Sequence, residues 1–237
     1  MTHRMDIDPS PTRQKASGDW IVVFAKQPIA GHAKTRLARD IGDDAARALA
    51  EAFVLDTLAL SRELGELQVL VAYSPSEGKS WFKRHAIGAE LYLQPEGPFE
   101  DRIHSAIREA FLRGARRCVL IGTDTPHLQP ETLQAAFDAL GSTDVCLGPA
   151  EDGGYYLIGM HREDQRLFVD VPWSTETVHE ITLQRAREAG LTVTELPPEL
   201  DVDEGSDLEG LVRVLVERPR AAASTRVEVA RLTGQEL

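Results

Sequence analysis

The chain has 237 residues, with 26 Lys+Arg against 38 Asp+Glu and a formal net charge of −12. At roughly 150 residues per domain, that length suits one large domain. A composition 42% hydrophobic and 27% charged excludes wholesale disorder, and the acidic balance excludes a general nucleic-acid binder, which needs a basic face for phosphates.

Residues 1–19 carry Arg4, Arg13 and Lys15 with no apolar segment behind them. They read as a flexible leader and not a signal peptide. No apolar run approaches the roughly 18 residues of a membrane span. Two cysteines, Cys118 and Cys146, fall inside apolar runs. They are too few for a disulfide framework or a zinc site, so they are expected buried and reduced, as in a cytoplasmic protein.

In chain order, short apolar runs predict strands at 20–25, 67–73, 90–93, 117–121, 144–147, 155–160 and 192–196. Runs such as Ile-Val-Val-Phe and Cys-Val-Leu-Ile are apolar without alternation, as in a sheet covered on both faces. Between them, helical spacing and stop signals predict helices at 43–64, 102–113, 130–140, 175–189 and 206–216. The first opens on an Asp pair and stops at Gly65, and the third begins with Pro130 and ends before Gly141. Strands alternating with helices give one α/β domain, 20–217, with a mostly parallel central sheet and helices on both faces. Residues 218–237 form a tail, helical or partly loose.

Several familiar motifs fail. Pro28–Thr35 ends in Lys-Thr like a phosphate-binding loop but has Pro28 and Ala33 where that motif has glycine. No Gly-x-Gly-x-x-Gly follows the first strand, and neither a Gly-x-Ser-x-Gly elbow nor His-Glu-x-x-His is present.

Four segments carry chemistry. After the first strand, Lys26, Lys34, Arg36 and Arg39 precede the first acid, Asp40, with Gly31 among them. A loop at the carboxyl end of a parallel strand is where an open sheet binds its ligand, and these heads suit phosphates. A solvated basic loop is the alternative. Next, the strand ending at Ile121 runs into Gly-Thr-Asp-Thr-Pro and delivers Asp124 to the same edge. A carboxylate there suits Mg²⁺ or Mn²⁺, although Asp124 could equally cap a turn.

Third, Glu151 and Asp152 precede Gly153, Gly154, Tyr155 and Tyr156, a combination that favours a binding loop over a plain acidic hairpin. Fourth, Asp201 and Asp203 alternate and share a face if extended. Asp207 fits the start of a helix capped by Ser206 better than a metal site. Asp203 remains a good second metal ligand.

Taken in order, Phe-Ala-Lys-x-Pro-x-x-Gly-x-x-Lys-Thr-Arg-Leu, Gly-Thr-Asp-Thr-Pro, Gly-Pro-Ala-Glu-Asp-Gly-Gly-Tyr-Tyr, Trp-Ser-Thr and Asp-Val-Asp resemble a bacterial glycosyltransferase-like family. This is the transferase 1 family (DUF2064) associated with radical-SAM and selenium-domain proteins, related to 2-phospholactate guanylyltransferase. The resemblance runs from about residue 20 to residue 215. It implies the GT-A fold of the nucleotide-diphospho-sugar transferase superfamily and a metal-dependent transferase, with glycosyl transfer from a nucleotide sugar to a small acceptor first. Nucleotidyl transfer from a nucleoside triphosphate is the alternative, and an inactive nucleotide-binding module the second alternative.

By that resemblance Lys26, Gly31, Lys34, Thr35, Arg36 and Arg102 are expected to hold the nucleotide's phosphates. Asp124 and Asp203 would hold Mg²⁺ or Mn²⁺, and Asp124, Asp152 and Lys34 would act in catalysis. Gly153, Gly154, Tyr155, Trp173 and Ser174 would line the acceptor side. One departure is visible: Glu100 stands where the family often has glycine, though Arg102 is retained. The general base, the acceptor and the oligomeric state are left open.

Overall fold

The computed structural model describes residues 18–65, 67–235 and 237. Seven strands form one sheet: β1 (Gly18–Lys26), β2 (Gln68–Ser74), β3 (Glu90–Leu93), β4 (Ala115–Ile121), β5 (Val145–Pro149), β6 (Tyr155–Met160) and β7 (Val193–Glu195). Their order is β3-β2-β1-β4-β6-β5-β7. β6 runs antiparallel to both β4 and β5, and the other pairings are parallel. All seven strands expected from the apolar runs are present. Of the leader, residues 1–17 lie outside the described residues, while Gly18 and Asp19 already belong to β1. Arg117 grips the Asp19 carboxylate through Nε at 2.8 Å, which extends the β1–β4 pairing toward the amino end.

The helices are α1 (Ala38–Ile41), α2 (Asp43–Glu63), α3 (Lys79–His85), α4 (Phe99–Leu112), α5 (Pro130–Ala139), α6 (Val178–Glu188), α7 (Asp207–Glu217) and α8 (Ala223–Thr233). No described helix is long and apolar enough to cross a membrane.

Alternation along each strand divides the core. Ile21, Val23, Val119 and Ile121 face α2, α3 and α5, where Val54, Leu58, Phe82 and Leu133 cover them. Trp20, Val22, Cys118 and Leu120 face the opposite way, onto Ile103 and Ile107 of α4 and Ala186 of α6. Both faces are thus buried, which is why the strand sequences are continuously apolar. Cys118 and Cys146 are both free and buried, and burial pushes the Cys146 thiol up to about 11.

A third cluster lies off the sheet, where Leu49 and Phe53 of α2 meet Leu211 and Leu215 of α7 and Val229 of α8. The tail is fastened there by a buried cap. Asp56 of α2 accepts the backbone N–H groups of Ser224 at 2.8 Å and Thr225 at 2.7 Å, satisfying donors that the first turn of α8 leaves free.

Two boundaries differ from expectation. α4 begins at Phe99, directly after the extended Pro98, so Arg102 falls in its first turn. α6 begins only at Val178. Ahead of it the Thr175 hydroxyl donates to the Pro172 carbonyl at 2.7 Å, a local bond that competes with the helix.

Candidate active site

The carboxyl ends of β1, β2 and β4 open onto a cleft of two connected chambers, about 510 Å³ and about 450 Å³. Because β6 is antiparallel, the turn from β5 to β6 reaches the same edge and brings Asp152 to it. Gly148 makes this possible in part: a Cβ there would lie 2.4 Å from the Tyr156 ring.

Three acids converge at the floor. Asp124 stands in the turn after β4, and Asp201 and Asp203 come from the segment before α7. Among the described residues these three can each offer a carboxylate oxygen, all within 4.8 Å of one another. Val202 between them turns inward, fully buried, so the two aspartates share the other side of the extended segment. The backbone locks the loops together, with the Val202 N–H donating to the Asp124 carbonyl at 3.0 Å. The Thr125 hydroxyl donates to Asp201 at 3.3 Å. A set of hard carboxylate oxygens on separate loops fits Mg²⁺ or Mn²⁺ and does not fit a thiophilic ion.

Lys34 lies among these acids. Its Nζ is 2.6 Å from Asp124 Oδ1 and 2.6 Å from Asp203 Oδ1, and its side chain is only 8% exposed. Burial alone would lower the ammonium, but Asp124, Asp203 and Asp201 outweigh it, so Lys34 is held above the ordinary lysine value. Burial and the neighbouring Asp124 push Asp201 well above the usual carboxylate range, with Lys34 pulling against them. Asp207 is not part of this group. Its Oδ2 accepts the N–H groups of Asp203 at 2.8 Å and Glu204 at 2.7 Å. Ser206, expected to cap α7, makes no such side-chain bond, and Asp207 instead ties the preceding segment to the start of the helix.

A buried ionic group stands behind the acids. Glu199 accepts from Arg218 at 2.9 Å and lies 3.3 Å from His127. Burial raises the Glu199 carboxyl, yet the bonds from His127 and Arg218 prevail and hold it below its ordinary value. His127 follows Asp124 by one turn and Glu199 precedes Asp201, so the group positions both acidic loops.

The larger chamber is lined by Lys26, Lys34, Thr35, Arg36 and Arg102 opposite Asp124, Asp201 and Asp203. Lys26 Nζ donates to the His32 carbonyl at 2.9 Å, which folds the loop over the chamber. Gly31, at φ +75°, serves that turn and lies outside the lining. Arg102 donates to the Ser74 hydroxyl at 3.1 Å and to Gln94. The Gln94 amide in turn donates to the Ala72 carbonyl at 2.7 Å, so β2 fixes the guanidinium. Glu100 does not displace Arg102 from the chamber.

Phe24, Phe99 and Tyr155 form an aromatic wall common to both chambers, and Trp173 extends it in the smaller one. Trp173 lies 4.9 Å from Phe99 and 6.1 Å from Tyr155 between ring centroids, and Phe99 meets Phe24 edge-on at 5.6 Å. Ser174, at φ +65°, and Thr175 complete the rim. Asp124, Asp152, Asp203, Gly154 and Arg36 line both chambers and so mark their junction. The Asp152 Oδ1 accepts the Gly154 N–H at 2.8 Å, which orients the carboxylate.

Gly153 does not line either chamber; its role is steric. It has φ +87°, and a Cβ there would lie 2.0 Å from the Glu176 carbonyl oxygen. Its own carbonyl accepts from the His179 N–H at 2.9 Å. Gly153→Ala is expected to cost about 1–3 kcal/mol in backbone strain alone, and more from the clash. Chemical denaturation that finds the variant as stable as the parent would contradict this geometry.

The sequence passed over Asp201 as a ligand, and also Gln94, Phe24 and Phe99. For Asp201 the signal was present in its alternation with Asp203. The other three reach the cleft through long-range packing, which one-dimensional spacing does not record.

This fold, with its acidic and basic groups at one sheet edge, is that of the nucleotide-diphospho-sugar transferases. The chain belongs to the family described as an uncharacterized protein conserved in bacteria (DUF2064), which matches residues 57–175. A protein from Desulfovibrio desulfuricans G20, provisionally assigned as a nucleotide-diphospho-sugar transferase, is 32% identical, with a TM-score of 0.84. The match covers 91% of this chain and 95% of that one.

A nucleotidyl transferase from Methanothermobacter thermautotroptrophicus shares the fold at 16% identity and TM-score 0.55, covering 84% of this chain and 98% of its own. So does Rv0371C of Mycobacterium tuberculosis H37Rv, solved in complex with manganese. It is 19% identical with TM-score 0.52, over 83% of this chain and 98% of its own. Among curated proteins none matches this chain.

Proposed function

We propose that the protein is a divalent-metal-dependent transferase acting on a nucleotide-activated substrate, most simply a nucleotide-diphospho-sugar whose glycosyl group passes to a small acceptor. The observation that carries this reading is the junction of the two chambers. There Asp124, Asp152 and Asp203 stand between a chamber lined by Lys26, Lys34 and Arg102 and one closed by Trp173, Ser174 and Thr175.

In this reading the phosphates occupy the larger chamber, held by Lys26, Thr35, Arg36 and Arg102. Asp124, Asp201 and Asp203 would hold Mg²⁺ or Mn²⁺, which neutralises charge that develops on the departing phosphate. Arg36 and Lys34 supply positive charge for the same purpose. The acceptor lies against Trp173, Tyr155 and Ser174, with its hydroxyl at the junction. Asp152, steadied by Gly154, takes the hydroxyl proton as the oxygen attacks the anomeric carbon, and a nucleoside diphosphate leaves.

A second reading, nucleotidyl transfer, is favoured by one feature. Lys26, Lys34, Arg36 and Arg102 are more cations than a diphosphate requires, and they suit a triphosphate. The leaving group separates the two. With nucleotide sugars and triphosphates offered in turn, release of a nucleoside diphosphate supports glycosyl transfer. Release of pyrophosphate from a triphosphate supports the second reading and overturns the first.

A further inference from the structure

Lys34 makes its two short ion pairs to two of the three carboxylates that could hold a divalent cation. Its Nζ lies 2.6 Å from Asp124 Oδ1 and 2.6 Å from Asp203 Oδ1. A bound Mg²⁺ requires oxygens at about 2.0–2.1 Å. An ammonium and a dication cannot both sit between these two oxygens without severe repulsion. Asp201, the third acid, also acts on the head, and the Phe53 ring lies 5.9 Å from it.

Any change of aim falls to the Lys34 side chain, because its backbone is held, the carbonyl accepting the Ala38 N–H at 2.8 Å. The residue has φ +46°, a left-handed conformation uncommon for a residue with a side chain. It sits in a turn segment that has no strand pairing and that precedes α1. Buried Ala33 and Leu37 anchor the segment on either side. The larger chamber, where Lys26, Arg36 and Arg102 await an anion, opens directly beside it.

From this geometry, and resting on the metal-dependent reading above, we infer that Lys34 is the resident counter-ion of the acidic site and yields it to the divalent cation only when nucleotide phosphates arrive to accept the displaced ammonium. Three carboxylates that would otherwise repel one another are held together by the lysine while the site awaits substrate. A bare metal ion must displace that lysine toward a chamber already lined by Lys26, Arg36 and Arg102, whereas a metal ion arriving with phosphates supplies anions to receive it. Metal and nucleotide therefore bind with positive coupling, each raising the other's affinity by the same factor. Lys34 then serves twice, as a placeholder in the free protein and as a phosphate ligand in the complex.

Calorimetric titration of Mn²⁺ into the nucleotide-free protein tests this without any turnover. The Lys34→Met variant, with three uncompensated carboxylates, is expected to bind Mn²⁺ at least about tenfold more tightly than the parent. Lys34→Arg, which keeps a cation, is expected to stay as weak as the parent. Adding Asp203→Asn to Lys34→Met should remove the gain. Circular dichroism melts show whether each variant is folded at the titration temperature. If Lys34→Met is unfolded there, Lys34→Gln takes its place with the same expectation.

Equal Mn²⁺ affinity in the parent and in the folded Lys34→Met variant overturns the exchange but leaves the metal site standing. A gain that survives Asp203→Asn also overturns it, since the ion is then bound elsewhere. No Mn²⁺ binding by either protein, with nucleotides present as well as absent, overturns the metal-dependent reading together with the exchange.

Discussion

Asp124→Asn is expected to lower turnover by about 10²–10³-fold and to abolish metal-dependent nucleotide binding while leaving the fold intact. The magnitude is that of removing one fixed electrostatic group from a site where charge develops. The fold should survive because Asp124 is 42% exposed at the side chain. The loop keeps its position through the Asp124 carbonyl, which accepts the Val202 N–H whatever the side chain. Calorimetry with and without EDTA reads the binding, and steady-state kinetics reads the turnover. Metal-dependent affinity equal to the parent's would remove Asp124 from the site.

Asp152→Asn is expected to have a different signature. The amide oxygen can still accept the Gly154 N–H, so the turn between β5 and β6 stays formed. Only the proton acceptor is lost, and general bases contribute about 10²–10⁴-fold. The fall should therefore appear in kcat, with nucleotide affinity and melting temperature close to those of the parent. Parent-like kcat would assign the proton to another group.

These two aspartates lie on different loops, which bears on how much could be read in one dimension. All seven strands were legible, because a sheet covered on both faces forces continuous apolar runs such as Ile21–Val22–Val23. The long helices were legible from their spacing and stop signals. Two short helices were not. α3 buries a single side chain, Phe82, and so leaves no periodic trace, and α1 is one turn long.

The edge of the sheet was legible in the same way. Parallel strands point their carboxyl ends one way, so the loops carrying Lys34 and Asp124 had to meet near one rim. What spacing did not carry was the contact itself. Lys34 and Asp203 are far apart in the chain, and their ion pair depends on α1, α2 and α7 packing through Leu37, Leu49 and Leu211. The same holds for the aromatic wall, where Phe24, Phe99 and Trp173 come from three separate elements. Glu199 and His127 were invisible for a related reason: a buried ionic group looks like any surface pair until its burial is known.

The net charge of −12 is thus no obstacle to an anionic substrate. Lys26, Lys34, Arg36 and Arg102 line one chamber, and the three acids beside Lys34 could hold a metal ion.

The most direct test of the account is a thermal-shift titration with nucleotide sugars and nucleoside triphosphates, each with Mn²⁺ and again with EDTA. A ligand that binds only the folded state at about 100 times its Kd adds about 2.7 kcal/mol. The account predicts that at least one nucleotide raises the melting temperature, that EDTA reverses the rise, and that Asp124→Asn abolishes it. Melting temperatures unmoved by every nucleotide, or a rise indifferent to EDTA, would contradict it.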